Sequence, residues 1–158
     1  MKKGLFPVLS LLTGVAAGVR ITKKIEQDKR KQAEKAFGKI SALFHMMNQW
    51  IKVKQDGKNL ASYLKKNEYK KIAIYGMSYV GETLLQELKD TEIEVAYGID
   101  RRTDSIRIGI DVVSPYGSLD SVDAVVVTAI DFFDEIEELL KKKVKCPIIS
   151  IEDIVFEV

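Results

Sequence analysis

The stretch from Lys71 to Arg102 limits what this chain can fold into more than any other. It reads K-I-A-I-Y-G-M-S-Y-V-G-E-T-L-L-Q-E-L-K-D-T-E-I-E-V-A-Y-G-I-D-R-R. Ile72, Ala73, Ile74 and Tyr75 form a short continuous apolar run, the pattern of a strand buried on both faces. Gly76 follows at once, and Gly81 comes five residues later. A helix is expected from about Val80 to Lys89, with Val80, Leu84, Leu85 and Leu88 as its buried stripe. Ile93, Val95, Tyr97 and Ile99 then alternate with Glu92, Glu94, Ala96 and Gly98, which reads as a second strand, and Asp100 ends it. Strand, glycine turn, helix, strand and acid together make the first half of a Rossmann-type βαβ unit.

The turn carries a candidate ligand site. Against the fingerprint G-x-G-x-x-G, the chain has Gly76-Met77-Ser78-Tyr79-Val80-Gly81, with Ser78 in place of the middle glycine. The first glycine permits the tight turn and the last permits close helix–strand packing. Ser78 crowds the approach of a pyrophosphate, but its hydroxyl can donate to a phosphate. The first helical turn offers unpaired N–H groups and a partial positive charge, which suit an anion. Glu82 in that turn opposes a phosphate placed very close. Asp100 lies 24 positions after Gly76, where an acid accepts from ribose or another sugar hydroxyl. Arg101 and Arg102 follow and are placed to meet a phosphate. The candidate binding set is Gly76, Ser78, Tyr79, Gly81, Asp100, Arg101 and Thr128, with NAD(P) or a nucleotide-sugar as the candidate ligands. The competing reading is a well-packed Rossmann turn that holds nothing.

Charge is uneven along the 158 residues. The net charge is +2, yet residues 1–39 carry ten Lys/Arg against three Asp/Glu, about +7, which leaves about −5 for the rest. The N-terminal arm is therefore the electrostatic partner-seeker. No nucleic-acid partner is expected. Cys146 is the single cysteine, which excludes an internal disulfide framework and suits a reducing compartment. With His45 as the single histidine, a His/Cys metal cluster or a Ser–His–Asp site within the Rossmann region is excluded.

Gly4 to Val19 is an uncharged, largely apolar run behind Lys2 and Lys3. At about 1.5 Å per residue it spans roughly 24 Å, short of the roughly 30 Å hydrocarbon core. Snorkelling by Lys2, Lys3 and Arg20, or extension through Ile21, covers the difference. Gly14 and Gly18 form a GxxxG pattern. The preferred expectation is an uncleaved single-pass anchor over residues 1–22, with membrane contact through residues 4–21. A cleaved signal peptide and a soluble packing helix are the alternatives. The basic residues after the run, Arg20 through Lys39, put the globular part on the cytoplasmic side of the cell membrane.

Residues 23–56 read as a basic, then amphipathic, helix. Phe37, Ile40, Phe44, Met47 and Ile51 are spaced 3, 4, 3, 4, as in a heptad seam, and Leu43, Met46, Trp50 and Val53 widen it. Such a helix needs a partner: a second copy, another protein or its own Rossmann domain. Asp56-Gly57 stops it, and residues 57–158 form the Rossmann-like domain. Asn59 is expected to cap a short helix, Leu60 to Lys66. Arg101 to Gly109 has no stripe long enough for a crossover helix, so the second crossover is trimmed. Ile110, Val112 and Val113 make the third strand, Asp123 to Ala129 the fourth, and Cys146 to Ser150 the fifth. Thr128 ends the fourth strand, where ligands meet open α/β sheets. Asp131 is expected to cap a helix from Phe132 to about Lys142. A short helix or turn closes the chain.

The pattern I-A-I-Y-G-M-S-Y-V-G-E-T-L, Y-G-I-D-R-R, D-V-V-S-P, V-D-A-V-V-V-T-A-I, F-D-E-I-E and C-P-I-I-S-I-E-D-I resembles a family of small Rossmann-like, nucleoside-diphosphate-sugar epimerase-like proteins of Firmicutes. Their activity is undefined, and they recur near polysaccharide-biosynthesis enzymes. The preceding M-M-N-Q-W-I-K-V-K-Q-D-G-K-N-L-A-S-Y-L extends the resemblance, which runs from about Met46 to the C-terminus. More distantly, the fold is similar to the N-terminal nucleotide-sugar-binding domain of bacterial sugar acyltransferases and to CoA-binding domains. The resemblance implies a nucleotide-sugar pocket with Gly76, Ser78, Gly81 and Asp100 at the matching positions. One departure is chemical. Epimerases and short-chain dehydrogenases use a Tyr-x-x-x-Lys acid/base pair, and no tyrosine here is followed four residues on by lysine. No catalytic residue and no metal ligand is therefore assigned. The expectation is a compact α/β fold, a five-stranded parallel Rossmann-like sheet with trimmed crossovers behind an anchor helix and an amphipathic helix. Its expected role is nucleotide or nucleotide-sugar binding, accessory or regulatory in cell-envelope polysaccharide assembly. The alternative is a structural interaction protein with a vestigial site.

Overall fold

The computed structural model describes residues 5–103 and 109–158, with side chains described from Thr22 onward. The chain divides into two compact units, Met1–Ala42 and Leu43–Val158. Helix α1 runs over Leu5–Gln55. Among the described residues no helix is long and apolar enough to cross a membrane. The anchor expected over residues 1–22 falls almost wholly on residues whose side chains lie outside the described set.

The second unit is built on one sheet. Strands β1 (Lys71–Tyr75), β2 (Glu94–Ile99), β3 (Val112–Val113), β4 (Ala124–Val127) and β5 (Ile148–Ser150) pair in the order β3-β2-β1-β4-β5. Every pairing is parallel. The sheet grows from β1 in both directions, so the strand order reverses between β1 and β4. Open α/β sheets bind ligands at that reversal. Helices α2 (Ala61–Lys66), α3 (Tyr79–Leu88), α4 (Phe133–Leu140) and α5 (Ile151–Glu157) complete the unit. No α-helix separates β2 from β3 among the described residues, in line with a trimmed second crossover.

Two apolar layers follow from the pleat, because alternate residues point to opposite faces. Ile72, Ile74, Ala124 and Val126 pack under α2, α3, α5 and the tail of α1. Ala73, Tyr75, Val125 and Val127 pack under Ile136 and Leu140 of α4. Strand β2 departs from the simple alternation expected of it. Ile72 pairs with Val95 but Ala73 pairs with Tyr97, so Ala96 is an extra residue in a β-bulge. A one-residue slip exchanges faces. Ile93 and Val95 accordingly join the α3 layer, while Tyr97 and Ile99 join the α4 layer. The Tyr97 hydroxyl there donates to the Asp120 carbonyl at 2.6 Å, and burial pushes its pKa up from 10.0.

Helix ends follow local chemistry. Gly57, at φ +73°, closes α1 in a Schellman motif: Lys58 N–H donates to Val53 O and Gly57 N–H to Lys54 O, both at 3.0 Å. The same motif closes α2, with Tyr69 N–H donating to Leu64 O and Glu68 N–H to Lys65 O. Here the left-handed position is Glu68, at φ +62°. A side chain is disfavoured in that conformation, so Glu68→Gly should raise stability by about 0.5–1 kcal/mol in urea unfolding. Asn59 accepts from Ser62 N–H at 3.1 Å, as its capping expectation requires. Asp131 does not cap α4. It lies in a 3-10 turn, Ile130–Phe132, and α4 starts behind Phe132 without a side-chain cap. Ser150 accepts from Glu152 N–H and caps α5.

Asp123 fastens the lower ends of β1 and β4. Its Oδ2 accepts from Lys70 N–H at 2.9 Å and Lys71 N–H at 2.7 Å. These backbone donors hold its carboxyl below the ordinary value of 3.8. A depressed folded pKa contributes stability that is present above the unfolded pKa and lost as pH falls through the folded one. The difference in urea midpoint between wild type and Asp123→Asn should therefore be full above about pH 5 and shrink as pH drops below the ordinary carboxyl range.

Candidate functional site

The glycine turn is held from both sides. Gly76 sits at φ +94°, and its N–H donates to Ile99 O at 2.8 Å. A Cβ there would come within 2.8 Å of the Thr128 hydroxyl oxygen. Gly81 packs so closely over the turn that a Cβ would overlap the Gly76 carbonyl. Helix α3 can leave β1 this tightly only because both residues lack a side chain. Met77 turns inward, 3% exposed, over Gly98, where a Cβ would meet Met77 Cγ at 2.7 Å.

Asp100 works on the turn. Its Oδ2 accepts from Met77 N–H at 3.0 Å and its Oδ1 from Arg102 N–H at 2.9 Å. Each oxygen keeps one lone pair for a further donor. The acid at the end of β2 thus fastens the glycine loop to the second strand. Thr128 is also structural. It is 6% exposed, and its hydroxyl lies 3.0 Å from Tyr75 O and 2.5 Å from Gly76 O. That hydroxyl ties β4 to the turn, and the next residue, Ala129, reaches the cleft.

A cleft of about 390 Å³ opens at the carboxyl ends of β1, β2 and β4. Tyr75, Gly76, Ser78, Asp100, Arg101 and Arg102 line it, joined by Ala129, Phe132 and Ile136. Five of the seven expected residues therefore lie at or within the turn and its cleft wall: Gly76, Ser78, Asp100 and Arg101 line the cleft, and Gly81 shapes the turn. Tyr79 opens α3 at 86% exposure and does not line the cleft. Phe132 and Ile136 are the apolar members that sequence reading missed. The signal was available: the loop after β4 faces the ligand side of an open sheet, and Phe132 stands in it, half exposed.

The electrostatics favour an anion at one end. Among the described residues, the N–H groups of Tyr79, Val80 and Gly81 meet no acceptor, whereas Glu82 N–H donates to Ser78 O. Ser78 is extended, starts α3 and makes no side-chain capping bond, so its hydroxyl is open to the cleft. The Tyr75 side chain, with Tyr116 and Glu135 further off, holds the proton of the Arg101 guanidinium more firmly than usual. Arginine presents a planar fork suited to phosphate oxygens.

A second cleft of about 390 Å³ lies between α3 and β2, lined by Leu85, Leu88, Lys89, Ile93, Val95 and Ile110. Among the described residues, Gln86 and Lys89 are the polar side chains that line it. Cys146 is half-buried, and burial pushes its thiol up from 9.0, away from the reactive thiolate. Among the described residues no group of three or more His, Cys, Asp or Glu could hold a metal ion. Comparison with protein-family models, curated proteins and solved structures finds no match for this chain.

Proposed function

We propose that the chain is a Rossmann-like module that binds a nucleotide or nucleotide-sugar in the cleft at the sheet's reversal. One observation carries this reading. The open amides of α3, the unbonded Ser78 hydroxyl and the Arg101 guanidinium adjoin an apolar cleft at the carboxyl ends of β1, β2 and β4. The phosphates would sit over Ser78 and the first turn of α3, with Arg101 beside them. The base or sugar would lie against Tyr75, Ala129, Phe132 and Ile136. A cleft of about 390 Å³ is at the small end for ligand sites. One nucleoside with its phosphates suits it better than a whole dinucleotide. Asp100 would hold the loop in its binding form and offer its remaining lone pairs to a sugar hydroxyl.

The rest of the reading rests on the sequence. The apolar run at residues 4–21 and its basic flank support a single-pass anchor with the globular part in the cytoplasm. The resemblance supports an accessory or regulatory role in cell-envelope polysaccharide assembly. No reaction is proposed, because the sequence has no Tyr-x-x-x-Lys acid/base pair.

A thermal-shift panel of UDP-sugars, free nucleotides, NAD, NADP and CoA tests the site. Arg101→Glu and Ser78→Glu are suitable controls because both side chains are exposed, so the fold is kept. A selective shift that either control weakens about tenfold or more in affinity supports the reading. A second reading, a vestigial site in an interaction protein, is favoured by Met77 N–H, whose bond to Asp100 removes a loop donor from any phosphate. A flat panel with a folded protein would select it.

A further inference from the structure

The tail of α1 is apolar on two sides. Met46, Trp50 and Val53 are buried in the α3 layer of the core. At about 100° per residue, Phe44 and Ile51 point roughly 140° away from that buried side. They are 67% and 53% exposed, and Leu43 beside them is 39% exposed. Ile40 and Phe37, earlier in the same 3, 4, 3, 4 sequence spacing, are 67% and 74% exposed. The expected amphipathic stripe therefore splits: one half covers the chain's own sheet, and the heptad half, with Met47 at its edge, faces outward.

We propose that this outward seam is covered by the same seam of a second copy of the chain, around a two-fold axis. Three features select a second copy. A 3, 4, 3, 4 seam is self-complementary, since its knobs also form the holes that receive them. The exposed parts of Phe37, Ile40, Leu43, Phe44 and Ile51 amount to roughly 500 Å² per copy. Complete burial of that area on both copies would remove about 1,000 Å², the threshold for a biological interface. The flanking positions Ala36, Ser41, Leu43 and Asn48 carry no charge. Nothing there repels an identical copy or selects an oppositely charged partner. A lipid surface fits less well. Interfacial helices are rich in Lys and Arg on the polar face, and from Phe37 to Ile51 the chain has only Lys39.

The test is the mass of the full-length protein in mild detergent by multi-angle light scattering. Wild type should carry the protein mass of two chains, and Phe44→Glu and Ile40→Glu that of one. Both variants should keep the wild-type circular-dichroism spectrum, because the altered side chains are exposed, and melt somewhat lower, because the native state loses its partner. In a Cys146→Ser chain, Phe44→Cys should oxidise to a covalent dimer and Lys52→Cys, about 100° round the helix from Ile51, should not. A single-chain mass for wild type, or a dimer that survives Phe44→Glu, overturns the proposal. A monomer that floats with anionic vesicles, and loses flotation in Phe44→Glu, overturns it in favour of lipid. None of these readouts depends on a nucleotide, so they stand apart from the ligand panel.

Discussion

Gly81→Ala should lower the melting temperature by on the order of 10 °C and abolish ligand binding at the cleft. The added Cβ would overlap the Gly76 carbonyl oxygen, and backbone cannot step aside as a flexible side chain can. Helix α3 must lift off the turn. That breaks the packing of Leu84 and Leu88, both essentially fully buried, against the sheet. The cost belongs at the upper end of overpacking, about 3 kcal/mol. Differential scanning calorimetry checks it. Gly98→Ala is the useful contrast, because the atom it meets first belongs to the flexible Met77 side chain. A milder loss is expected there.

Glu87→Ala should cost about 3 kcal/mol and release the tail of α1. The Glu87 side chain is only 6% exposed. One oxygen accepts from Trp50 Nε1–H at 2.6 Å and the other from Leu60 N–H at 2.7 Å. Lys54 Nζ stands 3.4 Å from the carboxylate but is half exposed, so it contributes little. Truncation leaves two donors without an acceptor in a place water hardly reaches. Trp50 is the only tryptophan in the chain and is 3% exposed. Its emission should move to longer wavelength in Glu87→Ala at urea concentrations where the sheet still holds by circular dichroism. Glu87→Gln, which keeps one acceptor, should fall between.

Elements that follow from local pattern were legible in the sequence. The apolar run of β1, the glycine pair and the terminal acid of β2 stand where the pattern puts them, because turn geometry demands those residue types. The stop at Gly57 and the cap at Asn59 are equally local. Tertiary pairing was less legible. Nothing in Ile93-Glu94-Val95-Ala96-Tyr97 announces a bulge, which appears only when β2 is laid against β1. The heptad pattern of α1 showed that its tail was apolar, but not that Met46 and Trp50 would turn inward while Phe44 stayed outside. Glu87 reads as an ordinary surface carboxylate on a helix. Its burial arises from Trp50, 37 residues earlier. At the site, sequence reasoning placed Asp100 and Thr128 by position. It did not reveal that both spend hydrogen bonds on the turn itself, or that Phe132 and Ile136 would furnish the apolar wall.

The most direct measurement follows the backbone amides by NMR while the best compound of the panel is titrated into the protein. The amides of Ser78, Tyr79, Val80 and Gly81 should shift together with those of Arg101 and Phe132, while Leu85, Leu88 and Ile110 around the second cleft stay still. Saturating shifts centred on Leu85, Leu88 and Ile110, or none at Ser78 to Gly81, would contradict the proposed site.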